Sequence, residues 1–267
     1  MAHRQEEVGW IKAFYGSAVA WWGESWYDGD NLRGRLELVE RYGKGRDILE
    51  LAAGTGETAA FLCDRGYSVC AVDICEANIG LLRKAQATRP SLEVVEGDYL
   101  SIRLDRKFKT VCLFETFGLG SDRQQRALLR RIQEEWLEDD GVLIMDVYHP
   151  YGPIKYAGRR FELDRLDGVP GSVDMTEYTW YDPVRNRWID IWEPRDDKAG
   201  ARTQSIRCYS PADLALLMDG SGLEPAAMEA RGKPIDFRSD EVSRDNVFEN
   251  CGRNDFSYIV VARKKAE

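Results

Sequence analysis

Residues 47–60 read DILELAAGTGETAA, and this stretch decides the fold. Its first part, residues 47–53, is a short apolar run, and the Gly-Thr-Gly of residues 54–56 joins that run to a segment of helical character at 57–65. Glycines at such a junction let the backbone approach a ligand closely, and the first N–H groups of a helix can face that ligand. The stretch therefore predicts a strand, a glycine-rich turn and a helix, with a ligand bound at the turn.

Further apolar runs alternate with helical segments after this turn. The runs lie at 67–72, 92–95, 110–114 and 141–147, and the helical segments between them lie at 76–88 and 122–137. Strands that alternate with helices of this length favour βαβ units, which build a parallel sheet with helices on both faces. We therefore expect an α/β fold for this part of the chain.

The alternation stops at Pro150 and resumes at Ser210. Between them, two runs of alternating residues, 177–181 and 187–192, flank a turn and predict an antiparallel hairpin. Ser210 and Pro211 are typical of a helix start, as N-cap and first helical residue. We expect a helical N-terminal cap at 1–45, an α/β core at 46–150, an inserted β cap at 151–208 and the C-terminal part of the core at 209–267.

Carboxylates follow the second and third predicted strands. Asp73 lies 19 residues after Gly54, and Asp98 follows the third strand. The carboxyl ends of parallel strands form the edge at which open α/β sheets bind ligands. A carboxylate at the position of Asp73 can accept hydrogen bonds from both hydroxyls of a ribose. NAD and S-adenosylmethionine both contain such a ribose, so Asp73 alone leaves both cofactors open.

Several stretches together resemble the class I S-adenosylmethionine-dependent methyltransferases of the small-molecule type. They are Glu50-Leu51-Ala52-Ala53-Gly54-Thr55-Gly56, Gly97-Asp98-Tyr99-Leu100, and the closing segments 209–214, 221–223 and 257–262. Ala52 stands where that family usually has its first glycine. The resemblance covers residues 46–148 and 209–263. It implies a doubly wound, mostly parallel seven-stranded sheet with an antiparallel last strand, and S-adenosylmethionine lying across the carboxyl ends of the first and fourth strands.

The resemblance also implies which residues bind the cofactor. In the family, an acidic residue at the position of Asp98 typically accepts a hydrogen bond from the adenine amino group. The expected cofactor contacts are Glu50, Ala52, Gly54, Thr55, Gly56, Asp73, Ile74, Asp98, Tyr99 and Phe114. The cysteines lack the paired spacing of a zinc site, so no metal is expected.

Aromatic residues concentrate outside the nucleotide-binding core. Seven of the eight tryptophans lie in the N-terminal cap or the inserted β cap. Such residues often only bury a lid on a sheet, but methyl transfer also requires a site from which water is excluded, and aromatic faces attract cations. We expect the two caps to form the acceptor pocket, with Tyr15, Trp22, Trp180 and Trp188 contacting the acceptor.

Two residues at strand ends are candidates for a general base. Glu115 follows the fourth predicted strand and His149 follows the fifth, at the edge of the sheet where ligands bind. The usual histidine pKa of about 6.5 suits proton transfer near neutral pH. The alternative for His149 is a structural role, packing against Pro150 at the strand end. Asp146 lies within the fifth strand, and we expect it to be structural.

The favoured function is transfer of a methyl group from S-adenosylmethionine to nitrogen or oxygen of a small molecule, with specialised metabolism as one setting. A rival function is that of an NAD(P)-dependent oxidoreductase, because Tyr151 and Lys155 have a Y-x-x-x-K spacing. Gly152 and Pro153 between them argue against the helix that would align the two side chains. Two further hypotheses are a nucleic-acid methyltransferase and a non-catalytic cofactor-binding protein.

Charge and composition bear on these hypotheses. The formal net charge is −9 and the pI is near 5.0, so the average surface repels a phosphate backbone. The N-terminal residues lack the apolar run of a signal peptide, and no stretch of 18 apolar residues occurs. We expect a cytoplasmic enzyme with a small-molecule partner and neither a nucleic-acid nor a membrane partner. The acceptor and the oligomeric state stay open.

Overall fold

The computed structural model describes residues 2–23, 29–167, 169, 172–238 and 257–266. In chain order its helices and strands are α1 (Ala2–Trp22), α2 (Gly29–Tyr42), β1 (Asp47–Leu51), α3 (Glu57–Cys63), β2 (Ser68–Asp73), α4 (Glu76–Gln86), β3 (Leu92–Glu96), β4 (Phe108–Phe117), α5 (Asp122–Arg131), β5 (Leu137–Tyr148), α6 (Tyr151–Tyr156), β6 (Arg159–Leu163), β7 (Met175–Asp182), β8 (Arg187–Pro194), β9 (Arg202–Arg207), α7 (Pro211–Met218), β10 (Leu223–Ala230), β11 (Lys233–Pro234) and β12 (Ser257–Lys264). The predicted alternation of strands and helices is therefore present in the core.

The larger sheet has the strand order β11-β10-β12-β5-β4-β1-β2-β3. Strands β1 to β5 pair in parallel, whereas β12 runs antiparallel between β5 and β10. The predicted mostly parallel sheet with an antiparallel last strand is confirmed. The two-residue β11 extends it at the β10 edge, which sequence patterning did not indicate.

Alternation along β1 divides the core into two layers. Ile48 packs with residues of α3 and α4 on one face of the sheet, and Leu49 and Leu51 pack with residues of α5 and α7 on the other. This follows from the strand geometry, in which successive side chains point to opposite faces. A third, smaller cluster joins Ile11 of α1 to Ile206 of β9.

The sequence predicts the start of one helix, α7, correctly, and it predicts another helix, α5, as longer than the structure shows. Ser210 caps α7 with Pro211 as the first helical residue, as predicted, and the Asp213 side chain completes a capping box. The segment predicted as one helix over 122–137 is α5 followed by a π-helical turn, Ile132–Trp136.

Within the described part of the chain, no helix combines the length and apolar character needed to cross a bilayer.

The inserted segment forms a second, antiparallel sheet in the order β6-β7-β8-β9. The predicted hairpin is β7 and β8, which pair from Met175 with Pro194 to Asp182 with Arg187. β9 attaches this sheet to the core through a hydrogen bond from the Arg207 N–H to the Gly118 carbonyl at 2.9 Å. The inserted sheet therefore lies beside the end of β4.

The helix α6 corrects one expectation. Gly152 and Pro153 argue in the sequence against a helix from Tyr151 to Lys155, yet these residues are helical. Pro153 lies in the first turn, where backbone N–H groups have no partner within the helix, so the missing N–H of proline does no harm there. Tyr151 and Lys155 are both exposed.

Candidate active site

A cavity of about 670 Å³ lies at the carboxyl ends of β1, β2 and β4. It has two ends, which we name by their surroundings. The turn end is lined by Ala52, Gly54, Asp73, Ile74, Asp98, Tyr99 and Phe114, and the cap end by Tyr15, Trp22, Glu177, Trp188, Asp190 and Gln204. The turn end contains most of the predicted cofactor residues, and the cap end contains residues of α1 and of the inserted sheet.

The glycine-rich turn after β1 has a left-handed backbone at three positions. Ala52, Gly54 and Gly56 have φ values of 54°, 58° and 85°. A Cβ at Gly56 would lie 2.3 Å from Leu82 Cδ2, whereas a Cβ at Gly54 would meet no atom within 4 Å. Gly56 therefore allows close packing on α4, and Gly54 keeps the cavity open. Glycine adopts a left-handed backbone more easily than alanine does, which explains why the resembled family usually has glycine at the position of Ala52.

Asp73 ends β2 beside this turn, and its carboxylate is buried. Oδ2 accepts a hydrogen bond from the Gly54 N–H at 2.9 Å, and Oδ1 accepts from the Cys75 N–H at 2.8 Å and from Asn78 Nδ2 at 3.2 Å. Burial raises the pKa of Asp73, and the hydrogen bonds oppose that rise. A carboxylate has about four acceptor sites, so Oδ2 retains capacity for a ligand hydroxyl.

Asp98 and Tyr99 follow β3 and line the same end of the cavity. Asp98 Oδ1 accepts a hydrogen bond from the Leu100 N–H at 2.9 Å, which is the contact of an ordinary Asx turn. The turn fixes the Asp98 carboxylate beside the cavity, so its structural role and the expected contact with adenine are compatible.

β4 contains a bulge where it reaches the cavity. Glu115 has a φ of 54°, and the register of β4 against β5 shifts between Leu113 and Phe117. The Glu115 N–H donates a hydrogen bond to Asp146 Oδ1 at 2.5 Å. Burial, together with the negative charge of Glu115, raises the pKa of Asp146. Asp146 therefore has the structural role expected from sequence, because it accepts the hydrogen bond from Glu115. Asp146 also lines the cavity.

The Glu115 carboxylate pairs with Arg35 of α2. Arg35 Nη2 lies 3.1 Å from Glu115 Oε1, and Nη1 of the same residue donates to Thr58 Oγ1 at 2.6 Å. The Arg35 guanidinium also lies over the Phe114 ring, 5.1 Å from its centroid. The position of Glu115 at the cavity is therefore set both by the bulge and by α2.

Aromatic side chains form a wall between α1 and β8. The Phe14 ring centroid lies 5.1 Å from that of Tyr15 and 5.3 Å from that of Trp192. The Trp22 and Trp192 centroids are 5.3 Å apart in an edge-to-face contact. Burial raises the pKa of Tyr15, so its hydroxyl stays protonated. Of the expected acceptor contacts, Tyr15, Trp22 and Trp188 lie at the cap end.

The inserted sheet also brings two carboxylates to the cap end. Asp190 is 1% exposed and Glu177 is 4% exposed. Asp190 Oδ1 accepts hydrogen bonds from Trp188 Nε1 at 2.7 Å and Thr179 Oγ1 at 2.9 Å, and Oδ2 accepts from Gln204 Nε2 at 3.1 Å. Burial raises the pKa of Asp190 to about 6, and these hydrogen bonds oppose the rise. The cap end is therefore both aromatic and acidic.

Asp190 is absent from the expectations drawn from sequence, although the sequence contains a signal for it. Residues 188–192 read WIDIW, so Trp188, Asp190 and Trp192 share one face of β8. A strand face that carries an expected acceptor residue, Trp188, also carries the residue two positions along. Period-two patterning would therefore have placed Asp190 in the pocket together with Trp188.

Trp180 does not lie at the cavity, which corrects its predicted acceptor contact. β7 pairs with β8 so that Trp180 is opposite Ile189 and Thr179 is opposite Asp190. This register directs Trp180 to the outer face of the inserted sheet, where it is 50% exposed. The inner face of β7 instead carries Glu177 and Thr179.

His149 also lies outside the cavity lining, which corrects its predicted catalytic position. Its Nδ1 accepts a hydrogen bond from the Tyr151 N–H at 3.1 Å, and its ring lies 6.2 Å from that of Tyr258. Burial lowers the pKa of His149 to about 4, so the ring is neutral near physiological pH. These contacts agree with the alternative interpretation, packing at the end of β5.

Three expected cofactor residues lie outside the cavity lining: Glu50 in β1, and Thr55 and Gly56 in the turn itself. Glu50 is 2% exposed, and its Oε2 has no hydrogen-bond partner among the described residues. Burial raises the pKa of Glu50 to about 7. Thr55 Oγ1 donates to Glu57 Oε2 at 3.1 Å, and the Gly56 N–H donates to the Ala53 carbonyl at 3.0 Å. In this structure these residues shape the turn that borders the cavity.

Comparison with known proteins identifies similar chains. Residues 48–141 match the family described as Methyltransferase domain. The cypemycin N-terminal methyltransferase of Streptomyces sp is 31% identical over 217 residues, which cover 74% of this chain and 81% of that protein. The CcbJ methyltransferase from Streptomyces caelestis has a TM-score of 0.69 at 22% identity, over 92% of this chain and 94% of that one. The glycopeptide N-methyltransferase MtfA, complexed with S-adenosyl-L-methionine, has a TM-score of 0.57 at 19% identity, over 88% and 87% of the chains.

Proposed function

Because the chain belongs to the S-adenosylmethionine-dependent methyltransferases, we propose that it transfers the methyl group to an amine nitrogen of a small molecule. The observation that carries this proposal is the pair of buried carboxylates, Asp190 and Glu177, in an aromatic pocket beside the cofactor residues. The name of the cypemycin N-terminal methyltransferase refers to the N-terminus of a chain, which agrees with an amine acceptor here.

The turn end of the cavity fits S-adenosylmethionine. The free acceptor capacity of Asp73 suits a ribose hydroxyl, and the Asp98 carboxylate suits the adenine amino group. A Cβ at Gly54 would meet no atom within 4 Å, so there is open space beside the turn. A volume of about 670 Å³ is within the range of about 300–1,000 Å³ typical of ligand pockets. When bound, the cofactor supplies an electrophilic methyl group on a positively charged sulfur.

The cap end favours an amine over a hydroxyl acceptor. Burying a carboxylate is costly unless it meets a cation or hydrogen-bond donors. The hydrogen-bond donors to Asp190 are the neutral side chains Thr179, Trp188 and Gln204, so they leave its negative charge for a cationic ligand. An ammonium group complements that charge, and aromatic faces attract it as well. A neutral alcohol gains neither interaction to the same extent.

The caps of the chain contribute to the reaction by alignment and by exclusion of water. Tyr15 and Trp22 of α1 close one side of the cap end, and Trp188 and Trp192 of β8 close the other. An acceptor held between them lies near the carboxyl ends of β1 and β4, where the methyl donor binds. Holding two reactants in line makes the reaction effectively unimolecular, and a dry site strengthens the electrostatic contacts.

The rival functions are less well supported. Family membership removes the basis for a nicotinamide-dependent oxidoreductase, and Tyr151 and Lys155 do not line the cavity. A nucleic-acid acceptor would meet a chain of net charge −9 and a pocket containing Glu177 and Asp190. A small cationic acceptor suits the same charge.

We expect the purified protein to methylate amines in preference to alcohols of the same skeleton. The assay offers amino sugars, aromatic amines and amino-terminal dipeptides, each paired with its hydroxyl analogue, with S-adenosylmethionine as donor. Mass spectrometry measures the gain of one CH₂ unit in each acceptor. Reactions inhibited by added S-adenosylhomocysteine are the control for enzyme-dependent transfer. Methylated alcohols beside unreacted amines would refute the amine assignment.

A further inference from the structure

One hydroxyl joins the two buried carboxylates of the cap end. Thr179 Oγ1 lies 2.9 Å from Asp190 Oδ1 and 3.3 Å from Glu177 Oε1, and all three residues are buried. A hydroxyl has a single hydrogen, so it donates to one carboxylate at a time. When that hydrogen changes partner, the hydroxyl can accept another from the opposite side. Asp190, Thr179 and Glu177 therefore form a path along which a proton can move.

Asp190 is held in place from three strands. Thr179 of β7, Trp188 of β8 and Gln204 of β9 each donate a hydrogen bond to its carboxylate. Such support fixes the direction in which the remaining acceptor sites point, as a catalytic carboxylate requires. The three donor side chains are polar but uncharged, so they stabilise the ionised carboxylate without forming an ion pair with it.

Of the titratable groups that face Asp190, two are excluded as proton acceptors and the third, Glu177, is the end of the path. They are Tyr15 of α1, Cys208 after β9 and Glu177 of β7. Burial raises the pKa of both Tyr15 and Cys208, so these groups are protonated and neutral near pH 7. Burial raises the pKa of Asp190 to about 6, which is closer to pH 7 than the pKa of an exposed aspartate. A proton acceptor works best when its pKa lies near the working pH.

Amine methylation needs a proton acceptor because an ammonium nitrogen has no lone pair with which to attack the methyl group. We propose that Asp190 is a catalytic residue that binds the acceptor ammonium and takes one of its protons, and that Thr179 passes this proton toward Glu177. The inference rests on the proposed function, amine methylation.

The proposed step balances in atoms and charge. The N–H bond of the ammonium breaks, its proton moves to the Asp190 carboxylate, and the electron pair stays on nitrogen. The neutral amine then forms a bond to the methyl carbon, and the carbon–sulfur bond breaks with its electron pair on sulfur. The products are the methylated ammonium, S-adenosylhomocysteine and one proton, which passes from Asp190 through Thr179 to the Glu177 carboxylate.

The first test is Asp190→Asn, which keeps the size of the side chain and removes its charge and basicity. We expect kcat/KM for an amine to fall by about 100-fold or more near neutral pH, since base catalysis is typically worth about 10²–10⁴-fold. We also expect the acid limb of the pH–rate profile to disappear. Glu193→Gln is the matched control, because Glu193 lies three residues along β8 on the opposite face and its change removes the same charge.

A weakly basic amine separates proton transfer from a merely structural role. An aromatic amine is already neutral at the assay pH, so it does not need a proton acceptor before attack. We expect Asp190→Asn to lose less than about tenfold of its rate with such an acceptor. Equal losses with the weakly and the strongly basic amine would overturn the inference, because a structural defect would affect both.

Thr179→Val is a second, independent variant that preserves the side-chain shape. It removes one donor to Asp190 and breaks the path to Glu177, so we expect the acid limb of the pH–rate profile to move upward by about one pH unit. Thermal unfolding and affinity for S-adenosylhomocysteine check that each variant folds. If Asp190→Asn fails to fold, the acid limb of Thr179→Val decides: a shifted limb supports the inference and an unmoved limb overturns it.

The two proposals fail in different ways. A wild-type protein that methylates alcohols and leaves amines unreacted overturns the proposed function and this inference together. A wild-type protein that methylates amines, with Asp190→Asn retaining its rate and acid limb, overturns the proton-transfer role of Asp190 alone.

Discussion

Removal of residues 1–28 is expected to abolish methyl transfer, with a rate at least about 1,000-fold below that of the full chain. α1 supplies Ile11, Phe14, Tyr15, Ala18 and Trp22 to the cavity wall. Without this wall the acceptor is neither aligned with the methyl group nor shielded from water, and alignment alone can contribute several orders of magnitude. Steady-state turnover with saturating S-adenosylmethionine measures the effect.

The larger sheet is expected to remain folded in the truncated protein. The two main hydrophobic clusters contain none of the described side chains of α1, which joins the smaller cluster with Leu119 and Ile206. Circular dichroism and cooperative thermal unfolding check this. Tyr15→Ala and Lys12→Ala provide a matched pair on the same helix, because Tyr15 lines the cavity and Lys12 is exposed. Full turnover by the truncated chain would mean that α1 does not shape the site.

Asp73→Asn is expected to weaken binding of S-adenosylhomocysteine by about 100-fold or more. The variant loses the charge that strengthens hydrogen bonds from the ribose hydroxyls, and a hydrogen bond to a charged group is worth about 1.5–3 kcal/mol. Since about 1.4 kcal/mol corresponds to tenfold in affinity, the loss of two such bonds gives an effect of this size. Isothermal titration calorimetry measures it. Asp64→Asn is the control, because the Asp64 side chain is an exposed partner of Arg89.

The structure adds a stability effect to this variant. From sequence, Asp73 is expected at the edge of the sheet, where folding would tolerate its replacement. The carboxylate in fact accepts hydrogen bonds from the Gly54 N–H, the Cys75 N–H and Asn78 Nδ2. Replacing one acceptor oxygen by an amide nitrogen sets two donors against each other at this buried site, so we expect a lower melting temperature as well. Unchanged affinity in a folded variant would mean that the ribose does not bind at Asp73.

The core could be predicted from sequence because its signals are local. Alternating strands and helices indicate the α/β sheet, and the carboxyl ends of parallel strands meet at one edge whatever the details of packing. Asp73 ends β2 and Asp98 follows β3, so their presence at one cavity follows from strand order. Ser210 and Pro211 specify a helix start within two residues, and α7 begins there.

The cap could be predicted only in part because its register is a tertiary property. Period two places Trp188 with Trp192, and Trp180 with Tyr178, but it does not indicate which face of each strand lies inward. The pairing of β7 with β8 sets only that Thr179 shares a face with Asp190. The α1 helix packs against that face, so Thr179 is buried and Trp180 is exposed. His149 follows β5 at the correct edge of the sheet, yet its contacts with Tyr151 and Tyr258 hold it away from the cavity lining.

A crystal structure of the protein with S-adenosylhomocysteine and an amine acceptor tests the central claim most directly. We expect ribose hydroxyls within hydrogen-bond distance of Asp73, and the acceptor nitrogen between the cofactor sulfur and Asp190. An acceptor nitrogen bound beside His149, or a cofactor bound away from Asp73, would contradict the claim.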